Sequence, residues 1–576
     1  MREKEKIMTD QKKGTGMMEE MEERARQEAE GIRAEFDACP VEGIVHPYTV
    51  EEHFLPMADG VRLYTVVYKP AGLESFPVLM QRSCYPAQME TYRVYGEEFA
   101  KRGYGYVLQV CRGTGRSEGE WEPNVNERQD GIAALTWLNG QEWAESIGYF
   151  GASYLALTGW AIADVVPDKV KGMMLTVYGT DRFKSAYEKR LFRHDVLTGW
   201  SMTNAGHPVD ADYLESCKYK PHAKVDEAMW GGRLAWYQEW IHAVKRSDDY
   251  WQQGWWKELA EIPAKVKVPV YIVDAWYDHH FGSAMNTYIS LKEETKNHSW
   301  MDIGCWNHMS ANCIEWGDQK NLENGDVKRI LEWFNLLLKK KEMPNKRIRS
   351  YVMREDRWQN LDTWPLDTDN SRKYYLGSDR DLREKPGTAG EITFEYDPEN
   401  PCPSHGAESV LTTITEAGSL LQQEPDYRPD IVSFISGPLT ERLPVMGQVK
   451  VHLKVRTDVE DTAFSAKLCE VFPDGRAFNI RSGITTIAAD LPEGAEYHPG
   501  DLVDVCVDFW DIVWTIQPGS RLRLDISSSD FPQYAAHSNY AGIWADQDKN
   551  RIAHQVICTG DERCYMELPL AAECRC

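Results

Sequence analysis

Residues 147–156 read Ile-Gly-Tyr-Phe-Gly-Ala-Ser-Tyr-Leu-Ala, and their reading decides the fold. A short apolar run, 147–150, ends at Gly151. Ser153 follows two residues later, flanked by Ala152 and Ala156, and a helix-prone segment starts at once. This pattern places a serine on a sharp strand-to-helix turn, a nucleophile elbow. Only small residues fit inside such a turn. The serine hydroxyl then stands near a helix N-terminus, whose unpaired N–H groups suit a developing oxyanion.

Outward from the elbow, residues 45–180 alternate strand-like and helix-like segments. Apolar runs of strand length lie at 61–68, 77–81, 104–110 and 172–177, with a helical pattern at 126–138. Such alternation predicts a mostly parallel α/β sheet covered on both faces. Residues 181–264 show no clear strands but carry Trp200, Trp230, Trp236, Trp240, Trp251, Trp255 and Trp256, which predicts a helical insertion. The tryptophans read first as its core, with a few free to line a pocket. The α/β pattern returns at 269–273 and 300–303, followed by a helix at 327–340. After residue 365, period-two stretches at 448–456, 502–510 and 521–526 and the Pro473-Asp474-Gly475 turn predict a β-sandwich of jelly-roll type. The expected domains are a charged helical arm at 1–44, an α/β-hydrolase domain at 45–180 and 265–364, a cap at 181–264, and a jelly roll at 365–576.

Composition narrows the function classes. The 576 residues carry a formal net charge of −25, which speaks against nucleic-acid and anionic-membrane partners. No apolar run reaches the length of a membrane span. The charged N-terminal stretch, helix-prone over 17–36, has no secretory h-region, and the 13 cysteines are dispersed. Both features predict a cytoplasmic chain with free thiols. No CxxC pair or HExxH motif is present, so neither a metal nor another cofactor is expected. The segment 112–119, Arg-Gly-Thr-Gly-Arg-Ser-Glu-Gly, matches no nucleotide-binding loop and reads as a structural turn.

A serine nucleophile needs a base, and the base needs an orienting carboxylate. Downstream of Ser153, the run at 270–273 leads into Asp274-Ala-Trp-Tyr-Asp278-His279-His280. The run at 300–303 leads into Gly304-Cys-Trp-Asn-His308. Catalytic groups collect at the carboxyl ends of strands in open α/β sheets. Asp278 and His308 stand there in the order Ser, Asp, His. Taken singly, Asp278 would be a turn residue and His308 a surface histidine; it is the joint placement that points to a triad. His279 and His280 compete as bases, but their adjacency to Asp278 makes a facing hydrogen bond awkward. The Tyr154 N–H is the expected first oxyanion donor. For the second, the loop after 77–81 offers Tyr85, either as a phenol donor or as ordinary packing material.

These motifs together resemble one family. Tyr85 after Arg82, the RG…SEG loop at 112–119, GASYLA at 151–156, WYD at 276–278 and W-x-H at 306–308 are similar to the cocaine esterase and X-Pro dipeptidyl-peptidase family. So are FSAKLCEVFPDGRAFNI at 464–480 and ISSSDFPQY at 526–534. The resemblance implies an α/β-hydrolase with an inserted helical cap and a C-terminal jelly roll. It implies Ser153 as nucleophile, His308 as base, Asp278 as its partner, and Tyr85 and Tyr154 as the oxyanion hole. The implied reaction is hydrolysis of a small-molecule carboxylic ester. Cleavage of Xaa-Pro dipeptides or other amides by the same triad is the alternative, and a non-catalytic binding protein is the alternative from another class. Family members are often oligomeric, so a homo-oligomer is one expectation. The chain departs from the family at Ala156, at Val110, and at His279-His280-Phe281, where related α-amino-acid ester hydrolases carry acidic residues that bind the substrate ammonium. α-Amino-ester specificity is therefore not expected. Asp195, Asp210 and Asp212 in the cap are assigned no role.

Overall fold

A computed structural model describes residues 25–571, except 318, 324, 367–369, 407 and 409–416. Part of the expected arm, residues 1–24, lies outside the described residues. Residues 25–37 form a helix, α1, and its Phe36 packs edge-on against Tyr95 and Phe99.

Ten strands form the first sheet. They are β1 (Tyr48–Pro56), β2 (Arg62–Pro70), β3 (Phe76–Ser83), β4 (Gly105–Val110), β5 (Ala144–Ala152), β6 (Val170–Thr176), β9 (Val270–Tyr277), β10 (Trp300–Asn307), β11 (Arg347–Val352) and β12 (Arg357–Asn360), with β7 (Tyr187–Glu188) and β8 (Leu191–Phe192) forming a separate ribbon. The order is β1-β2-β4-β3-β5-β6-β9-β10-β11-β12. Pairing is parallel from β4 through β11 and antiparallel at both edges. Alternate residues of each buried strand serve opposite faces. On β5, Ile147 and Tyr149 join one apolar cluster with Trp160 and Leu135, while Phe150 joins the other with Phe99 and Phe334. The helices α2 (Met89–Lys101), α3 (Glu127–Asn139) and α4 (Tyr154–Trp160) connect the strands as crossovers.

The segment between β6 and β9 holds α5 (Arg182–Ala186), α6 (His194–Thr203), α7 (Tyr213–Lys218), α8 (Ala235–His242), α9 (Asp249–Gln252) and α10 (Gly254–Glu261). It is helical, with one correction: the β7–β8 ribbon lies inside it, and strands of two residues are too short to carry a period-two signal. After β9 come α11 (Phe281–Ser290) and α12 (Glu293–Lys296), and after β10 comes α13 (Asp326–Phe334), which runs into a π-helical turn at Asn335–Lys339. From residue 371 onward, eleven strands build the β-sandwich. Its longest ladder pairs Leu443–Thr457 with Leu502–Ile516, antiparallel, with inward side chains alternating as the sequence pattern requires.

The sandwich is tied to the first sheet by a buried cation. Arg481 pairs with Glu408 at 2.7 Å and donates to the Asp511 carbonyl and to the Trp276 carbonyl at the end of β9. Nothing here contains a helix long and apolar enough to cross a membrane, among the described residues.

Candidate active site

The elbow is tight. Ser153 sits at φ 56° and ψ −124° between β5 and α4, a region that non-glycine residues enter only under constraint. The constraint is local. Ser153 N–H donates to Thr176 O at 3.0 Å, and Ser153 O accepts from Ala156 and Leu157. A Cβ added at Gly151 would lie 2.5 Å from the Leu155 carbonyl carbon, so only glycine fits there.

Three side chains from three strand ends converge. His308 follows β10, and its Nδ1 donates to Asp278 Oδ2 at 2.5 Å. A carboxylate only accepts, so Nδ1 carries a proton, and in the neutral imidazole Nε2 is the acceptor. Nε2 then accepts from Ser153 Oγ at 2.8 Å. Asp278 follows β9 and is fully buried. Its second oxygen accepts the His280 backbone N–H at 2.5 Å. His280 thus holds the carboxylate with its main chain, while its own Nδ1 lies 2.8 Å from Ser185 Oγ. His279 lays its ring against that of His308, tilted by 31° with centroids 4.4 Å apart. Neither histidine faces Asp278 with its imidazole as His308 does.

Burial shapes the ionisation of the groups around the relay. Asp274, on β9, is pushed well above the usual carboxylate range by burial and by the nearby Asp278. Both causes favour the protonated, neutral form of Asp274. His279 and His280 are pushed well below the ordinary imidazole value by burial and by the neighbouring histidines. Asp278, His279 and His308 offer donor atoms within 4.8 Å of one another. The Asp278–His308 bond already engages two of those groups, so an ion and the hydrogen-bonded relay would compete for them.

The two tyrosines flank Ser153 differently. Tyr154 opens α4, and its backbone N–H has no acceptor among the described residues, as expected for the first residue of a helix. Its phenol is pinned: Oη donates to Glu127 Oε1 at 2.8 Å and accepts from Asn124 N at 2.8 Å. Glu127 is held in turn by Arg82 at 2.8 Å, both side chains being buried. Tyr85, after β3, borders the same cavity as Ser153, His308 and Tyr154. Burial pushes its phenol well above the ordinary value, so it remains a proton donor. Trp200 of α6 donates its indole N–H to Tyr85 Oη at 3.3 Å and lays its ring nearly parallel to that of Tyr154.

The cavity holds about 1240 Å³ and is bordered by all three elements of the catalytic half: the sheet ends, the cap and α1. Trp200 and Trp236 of the cap line it, whereas Trp230, Trp240, Trp251 and Trp256 are buried in the core. The 112–119 turn contributes Gly113, Thr114, Gly115 and Gly119 to its wall. It is anchored by Arg112, which bridges Asp59 and Asp130. None of the three cap acids borders the cavity. Asp195 is buried against Arg193 at 3.3 Å, Asp212 caps α7 through the Glu215 N–H, and Asp210 is exposed. Sequence reasoning missed Glu127, named Trp200 only among the cap tryptophans and named Arg82 only within a motif; the apolar and charged patterning gave them no mark that distinguishes a supporting residue from a core one.

Comparison with known proteins agrees with this architecture. Residues 59–310 match the family model for X-Pro dipeptidyl-peptidase (S15 family), and residues 341–563 match that for the X-Pro dipeptidyl-peptidase C-terminal non-catalytic domain. Cocaine esterase of Rhodococcus sp. (strain MB1 Bresler) is 26% identical over 561 residues, covering 88% of this chain and 96% of the relative. Among solved structures, an aminopeptidase from the marine sediment archaeon Thaumarchaeota archaeon superposes with a TM-score of 0.78 at 19% identity, covering 91% of this chain and 96% of that one. An α-amino acid ester hydrolase superposes at 0.77 and 20% identity, covering 92% and 98%. At those identities the likeness shows the fold, an α/β-hydrolase with a C-terminal β domain. With the catalytic and C-terminal models matched in order along one chain, the protein belongs to the cocaine esterase and X-Pro dipeptidyl-peptidase family of α/β-hydrolases.

Proposed function

We propose that this chain is a serine hydrolase that cleaves a small-molecule carboxylic ester through an acyl-enzyme. The observation that carries this reading is the relay Asp278–His308–Ser153, with contacts of 2.5 and 2.8 Å, at the wall of one large cavity. His308 takes the Ser153 proton through Nε2 as Oγ attacks the carbonyl carbon. Asp278 holds the tautomer and stabilises the imidazolium that forms. The Tyr154 N–H and the Tyr85 hydroxyl receive the oxyanion. His308 then protonates the leaving alcohol, activates a water, and the second attack releases the acid and restores Ser153. All groups needed are side chains or backbone, and the scheme calls for no cofactor.

The ester reading is preferred over release of Xaa-Pro dipeptides, which the family also supports. A dipeptidyl-peptidase must hold the substrate's N-terminal ammonium; the carboxylates that border the cavity, Glu28, Glu35, Glu120 and Asp326, all lie outside the cap, and the first two and the last already have partners in Gln88, the Val327 N–H and Arg329. The similarity to a cocaine esterase supports the same choice. A panel of aryl esters, acyl amides and Xaa-Pro anilides, with Ser153→Ala as the blank, tests it. Esters turned over far faster than anilides are expected; the reverse order overturns the preference.

The eleven described cysteines are all free, which supports work in a reducing, cytoplasmic compartment. A homo-oligomer is retained from the family resemblance alone, and size-exclusion chromatography with light scattering reads it directly.

A further inference from the structure

The cavity beside Ser153 contains a cation that the reaction above does not use. Arg182, the first residue of α5, is 6% exposed and borders the cavity together with Ser153, Tyr178, Val196, Leu197 and Trp236. Its guanidinium pairs with no carboxylate among the described residues, its Nε is buried without a partner, and the polar group beside it is the Tyr178 phenol. Asp181, its neighbour in sequence, is occupied elsewhere, accepting from Lys184 N, Arg246 and Asn286. The Trp240 and Trp256 rings lie 4.6 and 5.9 Å from the guanidinium. The buried Tyr178 phenol faces this guanidinium and has no other polar partner among the described residues.

Arg182 is exceptional within this protein. Six other arginines are equally buried: Arg82, Arg112, Arg193, Arg329, Arg481 and Arg523. Each has a carboxylate within 4.0 Å. That is the ordinary rule, because a buried charge without a counter-charge is costly. Cation–π contact with tryptophan offsets part of that cost. What remains is a planar, five-donor fork facing a cavity large enough for a ligand. A carboxylate matches such a fork in charge and in bidentate geometry.

We infer that Arg182, with Tyr178 beside it, is a subsite for a carboxylate carried by the substrate of Ser153. The substrate class is then an ester bearing a free acid, such as a half-ester of a dicarboxylic acid or an acylated hydroxybenzoate. This deepens the hydrolase reading and rests on it. The acids that also border the cavity sit on other elements, and three of the four are already engaged. Glu28 accepts from Gln88, Glu35 accepts the Val327 N–H, and Asp326 lies 3.7 Å from Arg329. Glu120 belongs to the loop after β4. None of them forms an ion pair with Arg182.

The test compares matched ester pairs. One pair is 4-nitrophenyl hydrogen glutarate and its methyl-capped diester. The other is 4-acetoxybenzoate and its methyl ester, which moves the carboxylate to the leaving group. In at least one pair, kcat/KM should favour the free acid by about a hundredfold, the scale lost when one partner of a buried charge pair is removed. Within Arg182→Gln that ratio should fall to about one, and Arg182→Lys should recover part of it. Free glutarate and benzoate are also titrated calorimetrically against Ser153→Ala and against Ser153→Ala with Arg182→Gln. Binding by the first protein and not by the second supports the subsite even if the glutamine variant turns over poorly. Capped esters preferred in both pairs, or a preference that survives Arg182→Gln, would overturn the inference. Arg182-dependent binding of the acids with no ester turned over by the wild type would uphold the subsite and refute the hydrolase reading.

Discussion

Trp200→Phe tests whether the cap tunes the oxyanion hole. The substitution keeps an aromatic ring against Tyr154 and removes the indole N–H that reaches Tyr85 Oη at 3.3 Å. With Trp200 occupying an acceptor position on Oη, the hydroxyl proton is left for an acceptor in the cavity. Losing that contact frees the phenol to rotate and weakens its donation to the oxyanion. A neutral hydrogen bond contributes roughly 0.5–1.5 kcal/mol, and this one is long, so kcat should fall about 3- to 10-fold with KM little changed. Tyr85→Phe removes the donor itself and should cost about 100-fold or more. The assay is a double-mutant cycle on steady-state turnover of an aryl acetate. If Trp200 acts through Tyr85, then Trp200→Phe costs nothing further in the Tyr85→Phe background. Strictly additive losses would refute that coupling, and an unchanged kcat in Tyr85→Phe would remove Tyr85 from the oxyanion hole altogether.

Other outcomes follow from the same geometry. Gly151→Ala drives a methyl group to 2.5 Å from the Leu155 carbonyl carbon; turnover should drop at least 100-fold, and wild-type rates in this variant would contradict the elbow. Glu127→Ala leaves Arg82 buried with its nearest carboxylate gone, so chemical denaturation should show a loss of about 3–5 kcal/mol, and a loss under 1 kcal/mol would contradict the reading. Acid should destabilise the fold. His194, His222, His279 and His280 are held below their ordinary pKa by burial, His222 down to about 3. On unfolding these four rings take up about four protons once pH falls well below 6.5, while Asp195 and Asp274, whose carboxyls burial holds above the ordinary range, release up to two, so the net slope is about 2–3 kcal/mol per pH unit. That stability is fully present above pH 7 and is lost on acidification, so melting should shift sharply downward between pH 7.5 and 5.5; a flat profile would argue that these rings are solvated or charged in the fold.

The parts of the site that lie on regular elements were legible in the sequence. Ser153, Asp278 and His308 each follow an apolar run of strand length, and a parallel sheet brings such ends to one edge. The strand at Tyr48–Pro56 was not legible, because it is an antiparallel edge strand with mostly solvent-facing side chains and so carries no apolar run. The two-residue ribbon in the cap is too short for any periodicity. Tyr85 was ambiguous from the residues alone, and only the family resemblance gave it a role. Trp200 and Arg182 lie in the insertion, where orientation toward Ser153 depends on how six short helices pack. A local pattern reports that a tryptophan is apolar or an arginine charged. It does not report that the one reaches a phenol across the domain, or that the other lacks a counter-ion.

In the proposed reaction Ser153 carries the acyl group. Rapid quenching with acid during turnover of a 4-nitrophenyl ester, followed by peptide mass spectrometry, measures this directly. The acyl mass is expected on Ser153, within the peptide containing residues 147–156, and should be absent from Ser153→Ala, which should also lose turnover while remaining folded. An acyl group on any other residue, or wild-type turnover by Ser153→Ala, would contradict the account.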